Sequence, residues 1–82
     1  MEIMRITIKK LEEKIERINR LTKYKYDIKL FVTKGCGVDI SINGEYQATN
    51  SEKHLTNQEA YELLDKRFSK EIRQIIMSYI EE

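Results

Sequence analysis

Few side chains in this sequence are of a kind that does chemistry, and their spacing limits what that chemistry is. Cys36 lies between Gly35 and Gly37, just after Lys34, so its thiol would sit on an exposed turn near an ammonium group. His54 is the one histidine, and no carboxylate is placed by sequence to orient it. A cysteine nucleophile needs a base that a third group holds in place, so a turn cysteine with no chemical role is the simpler reading. One Cys and one His also fall short of the four protein ligands of a structural zinc site. Gly35-x-Gly37 lacks the third glycine and the following helix of a phosphate-binding loop. No catalytic residue, metal or cofactor is therefore expected, and the chain reads as a non-enzyme.

Binding is the remaining class of chemistry. Tyr24-Lys25-Tyr26 and Lys29-x-Phe31 interleave aromatics with lysines, as the sheets of single-strand nucleic-acid binders do. Asp27, Asp39 and Glu45 would share the same face, however, and the net charge is only +1. A core Tyr26 with solvated lysines competes with that reading. Charge is also unevenly laid out: residues 1–34 hold ten Lys or Arg against five acids, and residues 35–82 hold five against nine. A basic first half suits a phosphate backbone or an acidic protein, and it equally suits pairing with the acidic second half of the same molecule.

These residues need elements to position them. Eighty-two residues make a single domain spanning 1–82, near the size where one core yields only a few kcal/mol of stability. With 40% hydrophobic and 35% charged residues, the composition is that of a folded chain and not a disordered one. No apolar run approaches the ~20 residues that span a membrane, and the start lacks the apolar core of a secretory signal. A single cysteine forms no internal disulfide, which makes a reducing intracellular setting the default.

The clearest element is the last, from Leu55 to Ile80. Thr56 with Glu59 three residues on forms a capping box. Ala60, Tyr61, Leu64, Phe68, Ile72, Ile75, Ile76 and Tyr79 then recur at three- and four-residue steps along one helical face. A first helix is capped by Thr7, with Ile6 stapled to Leu11 and a stripe of Ile8, Leu11, Ile15, Ile18 and Leu21. Alternation of Met4, Ile6 and Ile8 makes a short extra strand the competing expectation for the first seven residues. From Tyr24 the period becomes two: Tyr26, Ile28, Leu30 and Val32 alternate with polar neighbours, and Val38, Ile40 and Ile42 do so again after the turn at Lys34–Gly37. Asn43-Gly44 is a strong hairpin signal. A three-residue loop with Gly44 as a bulge is expected there, because that register sets Ile40 opposite Tyr46 and Val38 opposite Ala48 and keeps one face apolar.

The architecture that follows is α+β: a helix, a three-stranded antiparallel meander and a long C-terminal helix, with both helices on one sheet face. Tyr26, Ile28, Leu30, Val32, Val38, Ile40, Tyr46 and Ala48 would line that face. The other face would carry Lys29, Phe31 and Asp39 among polar residues, with Phe31 as a binding anchor and Lys29 and Asp39 as rim charges. The last helix outreaches the strands, so Ile75, Ile76, Tyr79 and Ile80 are expected to overhang the sheet and form a homodimer interface.

Thr7, Lys9, Lys10, Leu11, Glu12, Ile18, Asn19, Leu21 and Thr22, followed by Tyr26, and in the last helix Leu55, Thr56, Glu59, Tyr61, Glu62 and Leu64, together resemble a family of small, mostly uncharacterised proteins encoded by phages and prophages of Gram-positive bacteria. The resemblance covers about three quarters of the chain and rests on capping boxes and core stripes. Lys23 stands where family members have a glycine after the first helix, which predicts a different helix end. Gly35-Cys36-Gly37-Val38 matches the family's Gly-Gly-aromatic turn loosely, and family chains end near the position of Lys70, so Glu71 to Glu82 is an extension. The family offers no catalytic residues to carry over. The resemblance implies a small phage or mobile-element accessory protein in the cytoplasm of a bacterial host cell. Its expected action is to bind and inhibit a host or defence protein, as an anti-CRISPR inhibitor does. A nucleic-acid or nucleotide-binding accessory protein is the alternative.

Overall fold

Two caps and one turn decide where the elements begin and end. The computed structural model describes residues 6–33, 37–47 and 54–81, with Glu81 described by its backbone alone. Helix α1 (Ile8–Leu21) starts at Thr7, whose hydroxyl accepts from the Lys10 amide at 3.2 Å. Ile6 and Leu11 on either side of the cap are both buried, as a hydrophobic staple requires. Residues 1–5 lie outside the described residues, and with them most of the alternative N-terminal strand. On the far side of α1, Arg20 closes on Glu16 at 2.6 Å.

The end of α1 departs from the glycine-closed form. The Tyr24 amide donates to Asn19 O at 2.7 Å and the Lys23 amide to Arg20 O at 3.2 Å, the paired closure of a Schellman motif. That motif wants a left-handed residue just past the cap, and here Lys23 (φ 54°) and Tyr24 (φ 59°) both take that conformation. Side chains disfavour it by roughly 1–2 kcal/mol each. The buried Thr22 hydroxyl, donating to Ile18 O at 2.7 Å, braces the turn. Two residues spent on this reversal delay the first strand to Ile28. Tyr26 still reaches the core from the connector. Its ring meets Phe68 edge-on at 5.0 Å, and its hydroxyl donates to Glu71 Oε1 at 2.6 Å.

Strands β1 (Ile28–Thr33), β2 (Gly37–Ile42) and β3 (Glu45–Tyr46) form an antiparallel sheet in the order β1-β2-β3. The hairpin corrects the expected register. Ile42 pairs with Glu45 and Ser41 with Tyr46, so the loop is the two residues Asn43-Gly44. Their φ angles of 53° and 86° are those of a type I′ turn, whose twist matches that of the strands it joins. Tyr46 therefore faces away from the helices, and Gln47, donating to Ile40 O at 2.7 Å, takes the place expected of an apolar residue. Turn twist prevails over face polarity because β3 is too short for its side chains to matter to the core. Ala48 and the loop from Asn50 to Lys53 lie outside the described residues.

Helix α2 (Asn57–Glu81) opens with the capping box read from the sequence. The Glu59 amide donates to Thr56 Oγ1 at 3.1 Å, and the Thr56 amide donates to Glu59 Oε1 at 2.9 Å. Just before it, Leu55 and Val38 exchange two backbone hydrogen bonds of 2.8 Å, which pin the start of α2 to the middle strand. Both helices lie on one face of the sheet. Leu11, Ile15 and Ile18 of α1 meet Ala60, Leu64 and Phe68 of α2 over Val38, Ile40 and Ile42 of β2. Lys14 ties the helices from outside, 2.8 Å from Asp65 Oδ1 and 5.0 Å from the centre of the Tyr61 ring. Val32 points to the helix side as expected but remains 56% exposed, because it lies on an edge strand.

Three glycine-sensitive positions test this account. Lys23→Gly should raise stability by about 1 kcal/mol, or roughly 4–8 °C in Tm, by relieving a left-handed lysine. Gly44→Ala should cost about 1 kcal/mol, since a Cβ there meets nothing within 4 Å and only the positive φ is penalised. Gly37→Ala should cost clearly more, because its Cβ would lie 2.5 Å from the Leu55 carbonyl oxygen. Urea unfolding of the three variants checks the order; equal losses at Gly37 and Gly44 would contradict the pinned strand.

Candidate protein-binding face

The open face of the sheet collects what alternation sends away from the helices. From β1 these are Lys29, Phe31 and Thr33, from β2 Asp39 and Ser41, and from β3 Tyr46. Phe31 and Asp39 are direct cross-strand partners, as are Lys29 and Ser41, so the three residues expected to bind a partner do share one face. Phe31 is 42% exposed and Tyr46 66% exposed, and their ring centres are 5.8 Å apart at 41°. The two rings lean toward each other across β2. Ser41, on the same face, is only 4% exposed, and the large side chains beside it there are Tyr46, Phe31 and Lys29.

Charge surrounds this aromatic pair. Asp39 Oδ2 lies 2.8 Å from His54 Nδ1, and since a carboxylate only accepts, that ring nitrogen carries the proton. Lys29 sits 3.9 Å from Asp27 Oδ2, with both side chains well exposed. Such a pair is loose and leaves the ammonium free to engage another group. Neither Tyr46 nor His54 was among the expected site residues. Tyr46 is found by counting two loop residues at Asn43-Gly44 in place of three. His54 carries no local signal, because it reaches Asp39 only through the pairing of Leu55 with Val38.

His54 does have an orienting carboxylate, contrary to the expectation from sequence. Cys36 lies outside the described residues. Among the described residues no group of three or more His, Cys, Asp or Glu side chains is arranged to hold a metal ion, and no helix is long and apolar enough to cross a membrane. The arrangement of the open face suits binding: two touching aromatic rings, apolar at the centre and ringed by Lys29, Asp27, Asp39 and His54.

The expected dimer residues lie elsewhere, at the far end of α2. Ile75 and Ile76 are half-buried, while Tyr79 and Ile80 are exposed, Ile80 at 76%, together with Met77. Compared with known proteins, the chain matches no family model, no curated protein and no solved structure.

Proposed function

We propose that this chain is a non-catalytic binding protein that uses the open sheet face to occupy a surface of another protein. A host or defence protein blocked by a phage or mobile-element accessory protein, in the anti-CRISPR manner, is the setting that the sequence resemblance suggests. The observation that supports binding is the Phe31–Tyr46 pair, which is exposed on a face whose other members are polar. Aromatic anchors with charged rims supply most of the energy of protein interfaces. Stacked nucleic-acid bases would also suit two rings, but Asp27 and Asp39 beside them repel phosphate, so nucleic acid stays the second choice.

A homodimer through the C-terminal turns is a separate and compatible proposal, supported by the exposure of Met77, Tyr79 and Ile80. Exposed apolar side chains at the end of a helix suit an interface.

Affinity capture from a bacterial host, with nuclease treatment as control, identifies the partner. Phe31→Ala and Tyr46→Ala, each confirmed as folded by circular dichroism, should then weaken binding by about 2 kcal/mol, near thirtyfold. Lys29→Glu should act mainly on the association rate and its salt dependence. Unchanged affinity in both aromatic variants would remove this face from consideration. A steep loss of binding between ~50 and ~200 mM salt, abolished by nuclease, would favour nucleic acid. For the tail, sedimentation at tens of micromolar should give a dimer that Tyr79→Glu dissociates; a monomer overturns that part.

A further inference from the structure

The two edges of the sheet differ, and backbone direction shows how. Val38 bonds to Leu55, and the Gln47 amide to Ile40 O, so the even-numbered residues of β2 turn their backbone groups away from β1. Asp39 and Ser41 turn theirs toward Phe31 and Lys29. By the alternation of an antiparallel ladder, Ile28, Leu30 and Val32 of β1 then direct their N–H and C=O groups outward. No described residue pairs with them. This edge is six residues long, contains no proline, and has Lys29 as its one charged residue. Proteins usually blunt such an edge.

The side chains of the same three residues turn toward α1. An open groove runs there, floored by Ile8, Ile15, Leu30 and Val32 and rimmed by Glu12 and Glu16. Asn19 lines it too, and its Oδ1 is shielded from solvent without a hydrogen-bond partner among the described residues. Backbone groups that no described residue pairs therefore run alongside an apolar floor whose acidic rim is Glu12 and the Arg20-bridged Glu16.

We propose that the β1 edge and this groove accept an extended segment of a partner protein, added as a fourth, antiparallel strand. In such a strand every second side chain enters the groove. Those positions should carry apolar residues for the floor and one Lys or Arg whose stem lies along it while its head reaches Glu12 and Glu16. The intervening positions, which emerge beside Lys29 and Phe31, should be uncharged. A second copy fits less well. Joining two β1 edges about a two-fold axis sets the two α1 helices side by side and brings Glu12 and Glu16 toward their own copies. The proposal is independent of the open aromatic face, because it uses the edge and the opposite side of β1.

The probe is the capped heptapeptide Thr-Val-Thr-Arg-Thr-Val-Thr, with a twin carrying Glu in place of Arg, titrated into the isotope-labelled full chain. Saturable shifts and slowed exchange are expected at the amides of Ile28, Leu30 and Val32, with the arginine peptide at least about tenfold tighter than its twin. Glu12→Lys combined with Glu16→Lys should invert that preference. Val32→Pro removes an outward N–H and no bond of the β1–β2 ladder, so it should abolish binding in a chain that stays folded. Shifts confined to β1 and α1, with none at Tyr46 on β3, separate this site from the open face. The proposal is overturned by absence of saturable binding, by equal affinity for the two peptides, or by shifts centred on Tyr46. It is equally overturned if the protein alone shows concentration-dependent shifts at β1, or if cross-strand contacts from residues 1–5 already fill the edge.

Discussion

Burial of the inner side of β2 is the constraint on which the rest depends. Val38, Ile40 and Ile42 are the only strand residues that are fully buried and apolar among those described, and both helices close over them. Leu11 and Ile18 come from one side, Leu64 and Phe68 from the other. A chain this short has one core and no second layer to fall back on. The neighbouring strands are held by backbone bonding to β2 more than by burial: the inner residues of β1 are half-buried or exposed, and β3 has two residues. Strand order, helix placement and the outward set of side chains follow from that choice of which three residues go inside.

Much of the fold was legible because its signals are local. The capping box at Thr56 and Glu59, the cap at Thr7 and the stripe Leu11-Ile15-Ile18 each lie within a few residues of what they determine. The hairpin departs from expectation where two local rules conflict. Face polarity favoured a bulged loop, and turn twist favoured Asn43-Gly44 alone. The conflict is settled outside the hairpin, since Leu55 and not β3 pairs with Val38 and seals the core there. The late start of β1 has a similar origin. Nothing in Lys23 or Tyr24 announces two left-handed residues, and only the closure bonds to Asn19 and Arg20 require them.

The candidate site divides in the same way. Lys29, Phe31 and Asp39 were placed correctly on one face by alternation alone, a rule that needs no knowledge of the partner strand. Tyr46 required the right loop length, and His54 required a contact between residues far apart in sequence. The positions of Met77, Tyr79 and Ile80 past the end of the core follow from arithmetic. A 25-residue helix at ~1.5 Å per residue is longer than a six-residue strand at ~3.3 Å per residue.

The shortness of β3 has a consequence for solubility. On its side of the sheet, β2 is flanked by Glu45 and Gln47 at one end and by Leu55 at the other. Among the described residues, what remains there is a two-residue strand, a short template for another chain. Among the described residues, the long edge open to strand addition is that of β1. Continuous growth of a fibril sheet needs two open edges on every molecule, and the described residues offer one long edge, β1. An edge can thus stay exposed on this domain without committing it to amyloid-like assembly.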